Sequence, residues 1–198
     1  MQAKSIKGVS IEEIQSAVQQ SMSDGFKPTL AIALLSIKQD RNAIFKILED
    51  AGITIFGATT NGGFIDDVIE MGSAAIMLLD INPNYFTILF EEYPDKNYRE
   101  VATGMATKTL ERFAHPAFLI AGSNMETDAE QLLFGFEDVI GKTVNIHGCM
   151  AGDDFSFKEQ FVFTNNKETS RGVVMLAFDE DKIKLRGRAI CGWKAVGT

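Results

Sequence analysis

His147, Cys149 and Asp153 are the one group in this sequence whose residue types match a nucleophilic catalyst. A histidine beside a cysteine can draw off the thiol proton and leave a thiolate nucleophile. His147 and Cys149 stand two apart, so on a strand they face the same way. That spacing holds the pair too rigidly for good proton transfer, and no third residue is placed to orient the histidine. A small buried cysteine beside a hydrogen-bonded histidine is the expected outcome, since free cysteine is among the most buried residue types. An N-terminal nucleophile is not expected in a chain that starts at Met1. No catalytic residue is therefore assigned. Two carboxylate pairs, Asp66-Asp67 and Asp153-Asp154, offer a different chemistry. They could hold a divalent ion or the ammonium of an amino acid, or lie solvated on exposed loops. Asp153 directly follows Gly152 and is the preferred polar anchor. Arg171 and Lys158 are possible charge partners.

These residues fall in two glycine-rich stretches of similar make-up. Gly57-Ala58-Thr59-Thr60-Asn61-Gly62-Gly63-Phe64 follows the apolar run Ile53 to Phe56, and Gly148-Cys149-Met150-Ala151-Gly152-Asp153-Asp154-Phe155 follows Val144 to Ile146. Glycine lets a backbone or ligand approach closely at a strand end. If a small molecule is recognised, the expected contacts are Thr59, Thr60, Asn61, Gly62, Gly63, Cys149, Gly152, Asp153, Asp154 and Phe155. Thr59, Thr60 and Asn61 would serve a ligand carboxylate. The other reading is a pair of hairpin turns set by strand geometry. Gly57 and Gly62 have the spacing of a phosphate-binding loop. Gly63 and Phe64, however, occupy the places where lysine and Ser/Thr are required, which excludes nucleotide hydrolysis. Phe155, Phe157, Phe161 and Phe163 predict an aromatic strand face, either core or pocket wall. His115, before Pro116, reads as a polar loop residue or a haem ligand.

A chain of 198 residues with 45% apolar residues can bury a sizeable core. The net charge of −8 with no basic block argues against nucleic acid and against an anionic membrane surface. No apolar run reaches the ~18–20 residues needed to span a bilayer, and no secretory signal follows Met1-Gln2-Ala3-Lys4-Ser5. A cytoplasmic location is expected. Cys149 and Cys191 are then reduced thiols, and no zinc spacing is present, so no metal site is expected.

The elements that would position these residues follow from periodicity and punctuation. Ser10 and Glu13 form a capping box before apolar residues at helical spacing, Ile11 to Met22, and Gly25 and Pro28 end that helix. Leu30–Leu35 is a buried strand, Arg41–Asp50 a helix capped by Gly52, and Ile53–Ala58 a strand. Asn61-Gly62 predicts a two-residue hairpin. Ala74–Leu79 and Tyr85–Phe90 are strands around the turn Asn82-Pro83-Asn84. The series then restarts: helix Tyr98–Phe113, strand Pro116–Ala121, helix Thr127–Ile140 capped by Gly141, strand Val144–Gly148. Strands Gln160–Thr164, Val173–Phe178 and Lys182–Arg188 close it, with Asn165-Asn166 as a turn. The halves, about 9–93 and 96–190, match element for element as helix, strand, helix, strand, then antiparallel strands. The fold expected is α+β and internally duplicated, with mixed or antiparallel sheets and helices on the outer faces.

Three motifs carry a family resemblance. Phe56-Gly57-Ala58-Thr59-Thr60-Asn61-Gly62-Gly63 resembles the first signature of the FIST domain, a sensory module of signalling proteins. Gly148-Cys149-Met150-Ala151-Gly152-Asp153-Asp154, followed by Phe161-Val162-Phe163 and Gly172-Val173-Val174, resembles the second. Cys191-Gly192-Trp193-Lys194-Ala195-Val196-Gly197 is similar to the segment leading from the N-terminal FIST domain into its C-terminal partner. The resemblance implies a single N-terminal FIST domain over 1–198, with 191–198 beginning the connection to a missing C-terminal domain against which Trp193 would pack. It implies an intracellular input domain that binds a small ligand, an amino acid or similar metabolite. That domain would act through its C-terminal FIST partner on a downstream signalling protein, by shifting a conformational population. Two other readings belong to the same family: a ligand-free interaction scaffold of an F-box-like adaptor, and a haem-based gas sensor. Catalysis is the least expected activity, and no cofactor other than haem is in question.

Overall fold

The computed structural model describes residues 1–65, 68–123 and 126–187. The chain opens with β1 (Gln2–Gly8), α1 (Ile11–Met22), β2 (Leu30–Ser36), α2 (Arg41–Asp50) and β3 (Thr54–Thr60). A small hairpin, β4 (Gly63–Ile65) and β5 (Val68–Glu70), leads to β6 (Ala74–Asp80). After a 3-10 turn at Pro83–Tyr85 come β7 (Phe86–Glu92), α3 (Tyr98–Leu110), β8 (Pro116–Gly122), α4 (Ala129–Ile140) and β9 (Asn145–Met150). The short β10 (Val162–Phe163) and β11 (Glu168–Thr169) precede β12 (Gly172–Asp179). This is the mixed α+β architecture that the apolar patterning predicts.

Two main sheets form, in the orders β1-β6-β2-β3-β10-β11 and β7-β12-β8-β9. The pairing directions agree between them. The first strand runs antiparallel to the last, the last antiparallel to the second, and the second parallel to the third. β7, grouped in sequence with the first series, hydrogen bonds to β12 and so opens the second sheet. β1 escapes notice in the sequence because its side chains alternate weakly; it is an edge strand held by a seven-residue register with β6.

Strand side chains alternate between two environments, which explains the unbroken apolar runs. On β12, Val173, Met175 and Ala177 pack under α3 and α4, with Met105, Leu132 and Phe136. Val174, Leu176 and Phe178 point the other way, against Leu30, Phe56, Ala58 and Leu79 of the first sheet. β2 does the same, Ala31, Ala33 and Leu35 lying under Ile14, Val18 and Ile44 of its own helices. The order of layers is helices, sheet, sheet, helices.

Helix ends obey their local chemistry. Ser10 Oγ accepts from the Glu13 N–H (3.3 Å), and Glu13 Oε2 accepts from the Val9 N–H (2.9 Å). Asp40 and Asp128 cap α2 and α4 in the same way. Several expected boundaries change. α3 stops at Leu110, and the amides of Arg112 and Phe113 close onto Thr109 O. Asn61-Gly62 does not join a hairpin: β3 pairs with β2 and β10, because the Asn61 side chain is recruited to a distant loop. Residues 182–187 are not a strand, although Ile183 and Leu185 pack on the core between the sheets; Arg188 lies outside the described residues.

Candidate functional site

β2 and β3 are parallel, as are β8 and β9, and ligand sites in α/β sheets favour the carboxyl ends of such strands. The segment after β9 runs across these ends. The Ala151 N–H donates to Gly122 O (2.8 Å), the Gly152 N–H to Thr59 O (2.8 Å) and the Asp154 N–H to Thr60 O (3.3 Å). One short peptide thus joins the end of β8 to the end of β3. Only glycine fits at 152, since a Cβ there would lie 2.6 Å from Asn61 Cγ and 2.7 Å from the Asn61 backbone nitrogen. Asn61 Oδ1 accepts from the N–H groups of Asp153 (2.8 Å) and Phe155 (3.2 Å). Thr59 is buried; its Oγ1 accepts from the Phe161 N–H (2.9 Å), and its own N–H donates to Phe161 O (2.8 Å).

The loop that follows is organised by Asp153, which is 2% exposed. Its Oδ2 accepts from the Lys158 N–H (2.7 Å) and the Ser156 hydroxyl (2.8 Å). Burial pushes this carboxyl up, but hydrogen bonds from the Lys158 amide, Ser156, the Phe157 amide and Gln160 outweigh burial and hold it below the usual carboxylate range. Asp154, Phe155 and Phe157 all have positive φ (54°, 61° and 54°), a strained conformation for side chains larger than glycine. Asp154 Oδ2 accepts from the Ser36 hydroxyl at the end of β2, while its buried Oδ1 has no partner among the described residues. Thr60 Oγ1 donates to Gly62 O (2.8 Å), and Gly62 and Gly63 pack against Met71 and Ala75, so these three shape the entry to β4. Phe155 is 60% exposed.

A polar cleft of about 280 Å³ is lined by Phe157, Lys158, Glu159 and Gln160 together with Glu126, Ser170 and Arg171. A smaller cleft of about 90 Å³ beside Tyr93 and Tyr98 shares Glu126 and Arg171 with it. The Tyr93 hydroxyl anchors this corner, donating to Gly172 O (2.6 Å) and meeting Thr127 Oγ1 (2.6 Å); burial pushes its pKa up. Glu126 pairs with Lys96 (3.4 Å), whereas Arg171 and Lys158 make no ion pair among the described residues.

The ten residues singled out in the sequence do not line this cleft. Thr59, Asn61, Gly152, Asp153 and Asp154 hold the loop that leads into its Phe157–Gln160 segment, and Cys149 lines a separate apolar cleft between β8, β9 and α4. Arg171 and Lys158 do line it. Cys149 is exposed rather than buried, on a strand that pairs only with β8 among the described residues, yet burial pushes its thiol up. His147 Nε2 meets Asn145 Oδ1 (2.8 Å). Asp66-Asp67, Cys191 and Trp193 lie outside the described residues. Among the described residues, no three His, Cys, Asp or Glu side chains cluster to hold a metal.

The sequence that builds these strand ends matches a known family. A family model for the FIST N domain matches residues 29–198. The chain belongs to the FIST N domain family. FIST N domains are sensory domains of signal transduction. The match runs from the start of β2 through both glycine-rich strand ends, so the seam just described lies wholly within the FIST region. No curated protein matches the chain. No helix among the described residues is long and apolar enough to cross a membrane.

Proposed function

We propose that this FIST N domain is a cytoplasmic input module that binds a small zwitterionic metabolite, an amino acid or a close analogue, in the polar cleft. The observation that carries this reading is that Arg171, without an ion pair among the described residues, lines the same cleft as Lys158 and Glu159. A guanidinium takes a carboxylate through two parallel hydrogen bonds. Glu126 and Glu159 supply acceptors for an ammonium group. The cleft volume, about 280 Å³, lies just under the usual range of ligand pockets, about 300–1,000 Å³, and suits only a small ligand. The lining segment Phe157–Gln160 directly continues the strained 153–157 loop, so occupancy biases that loop and passes the bias to a partner domain of the signalling protein. The matching strand order of the two sheets supports reading the domain as a duplication, with units over 2–80 and 86–179.

Thermal unfolding against a panel of amino acids tests the assignment. A ligand at a hundred times its Kd stabilises by ~2.7 kcal/mol. Arg171→Ala should abolish that shift while leaving the unliganded midpoint in place, because Arg171 is exposed. A shift that survives Arg171→Ala would remove the cleft from consideration.

A scaffold reading draws on Phe64 (76% exposed) and Ile69 (81% exposed), which face each other across the β4–β5 hairpin. We propose this cross-strand apolar pair as the contact such a scaffold would use. Replacing both by serine should weaken partner capture and leave any amino-acid shift unchanged. Haem gains no support. His115, beside Asp181 (3.0 Å), is exposed and lines none of the clefts described, and His147 Nε2 is engaged by Asn145 Oδ1 (2.8 Å).

A further inference from the structure

The charges lining the polar cleft run against those of the chain. The protein carries 19 basic and 27 acidic side chains. The cleft and the smaller one that shares residues with it are lined by three cations, Lys96, Lys158 and Arg171, and by two carboxylates, Glu126 and Glu159. Lys96 and Glu126 offset each other, with Nζ 3.4 Å from Oε2. That leaves Arg171, Lys158 and Glu159. A neutral amino acid brings one carboxylate and one ammonium, which Arg171 and Glu159 match. Lys158 has no counterpart on such a ligand, and it makes no ion pair among the described residues.

Both uncompensated cations stand on anchored backbone. The Lys158 N–H donates to Asp153 Oδ2 (2.7 Å), so the buried carboxylate that organises the loop also fixes where the Lys158 side chain begins. The Arg171 N–H donates to Thr169 Oγ1 (3.1 Å), and Arg171 O accepts from the Tyr93 N–H (3.0 Å). Gln160, which lines the same cleft, is itself buried. Backbone already held in place loses less freedom when a ligand binds, so more of each ionic contact appears as affinity.

We infer, resting on the reading of this cleft as an amino-acid site, that its ligand carries a second carboxylate and that Lys158 selects for it. The class is a short dicarboxylic amino acid, glutamate or aspartate. Arg171 takes the α-carboxylate, Glu159 the ammonium and Lys158 the side-chain carboxylate. One surplus cation matches one carboxylate. A phosphorylated side chain, with a charge of about −1.5 to −2 at neutral pH, would exceed it.

Isothermal titration of the full chain with L-glutamate and with L-glutamine tests the inference, because the two have nearly the same shape and differ in that one charge. Glutamate is expected to bind about tenfold more tightly, as for a hydrogen bond to a charged group. The preference should shrink as salt is added. Lys158→Gln keeps the backbone N–H that Asp153 uses; it should bring glutamate down to the glutamine level and leave glutamine unchanged. Lys142→Gln, exposed in the loop after α4, removes the same charge elsewhere and should leave both affinities in place. Equal binding of the two amino acids, or a glutamate preference that survives Lys158→Gln, would overturn the inference and leave the amino-acid site standing. Tighter binding of O-phospho-L-serine than of glutamate would overturn the dicarboxylate class. Binding of no amino acid at all would overturn the cleft reading and this inference with it.

Discussion

Asp153 shows how one side chain can be spent on shape. Its carboxylate answers donors from Ser156, Lys158, Phe157 and Gln160, so removing it strands several of them. Asp153→Asn should cost about 1–3 kcal/mol in urea unfolding at neutral pH. Its folded pKa lies below its unfolded value, so this stability is fully present above the unfolded pKa, ~3.9, and is lost as pH falls through the folded pKa. The gap between the native chain and Asp153→Asn should therefore close in acid; a gap that widened there would contradict the hydrogen-bond account. Gly152→Ala is a sharper perturbation, because the added methyl meets the Asn61 backbone, and it should loosen the loop and lower the thermal midpoint. The sequence marked these residues as chemically interesting, which they are, but type and spacing cannot distinguish a carboxylate facing a ligand from one facing its own loop. Arg171 and Lys158 carried little signal for the converse reason: exposed basic side chains are common, and only the fold brings these two to one cleft.

Strands and helices were the more legible level. Leu30–Leu35, Arg41–Asp50 and Pro116–Ala121 emerge almost as read, because runs buried on both faces and capped helices leave strong patterns. β1 left a weak one, because it shows one face to solvent. β10 falls inside the strand read over Gln160–Thr164, although only two of those residues pair, with a partner about a hundred positions earlier. That short strand nevertheless carries weight. Phe163→Ala would open a cavity against Phe45 and Gly57 and should cost about 3–5 kcal/mol in chemical denaturation. A loss under 1 kcal/mol would mean that the ring is not the plug described here.

At the scale of the molecule, the two sheets depend on each other. Their facing surfaces share one core, in which Leu30, Phe56 and Ala58 meet Val174, Leu176 and Phe178. The first sheet also borrows β10 and β11 from the second half of the chain. Neither half should fold alone. Residues 1–82 expressed separately are expected to lack cooperative unfolding by circular dichroism, and mixing with 83–198 should restore it. Independent folding of either fragment would show that the shared core is dispensable.

The borrowing has a consequence during biosynthesis. Ala58 leaves the ribosome long before its partner Val162, 104 residues later in the sequence. At 5–20 residues per second, β3 waits on the order of ten seconds with its edge open and the seat for Phe163 vacant. For that interval the nascent chain presents an apolar strand edge of the kind that templates aggregation. This domain should therefore lean on chaperones that hold nascent chains, and its yield should respond to translation speed more steeply than its final stability would suggest.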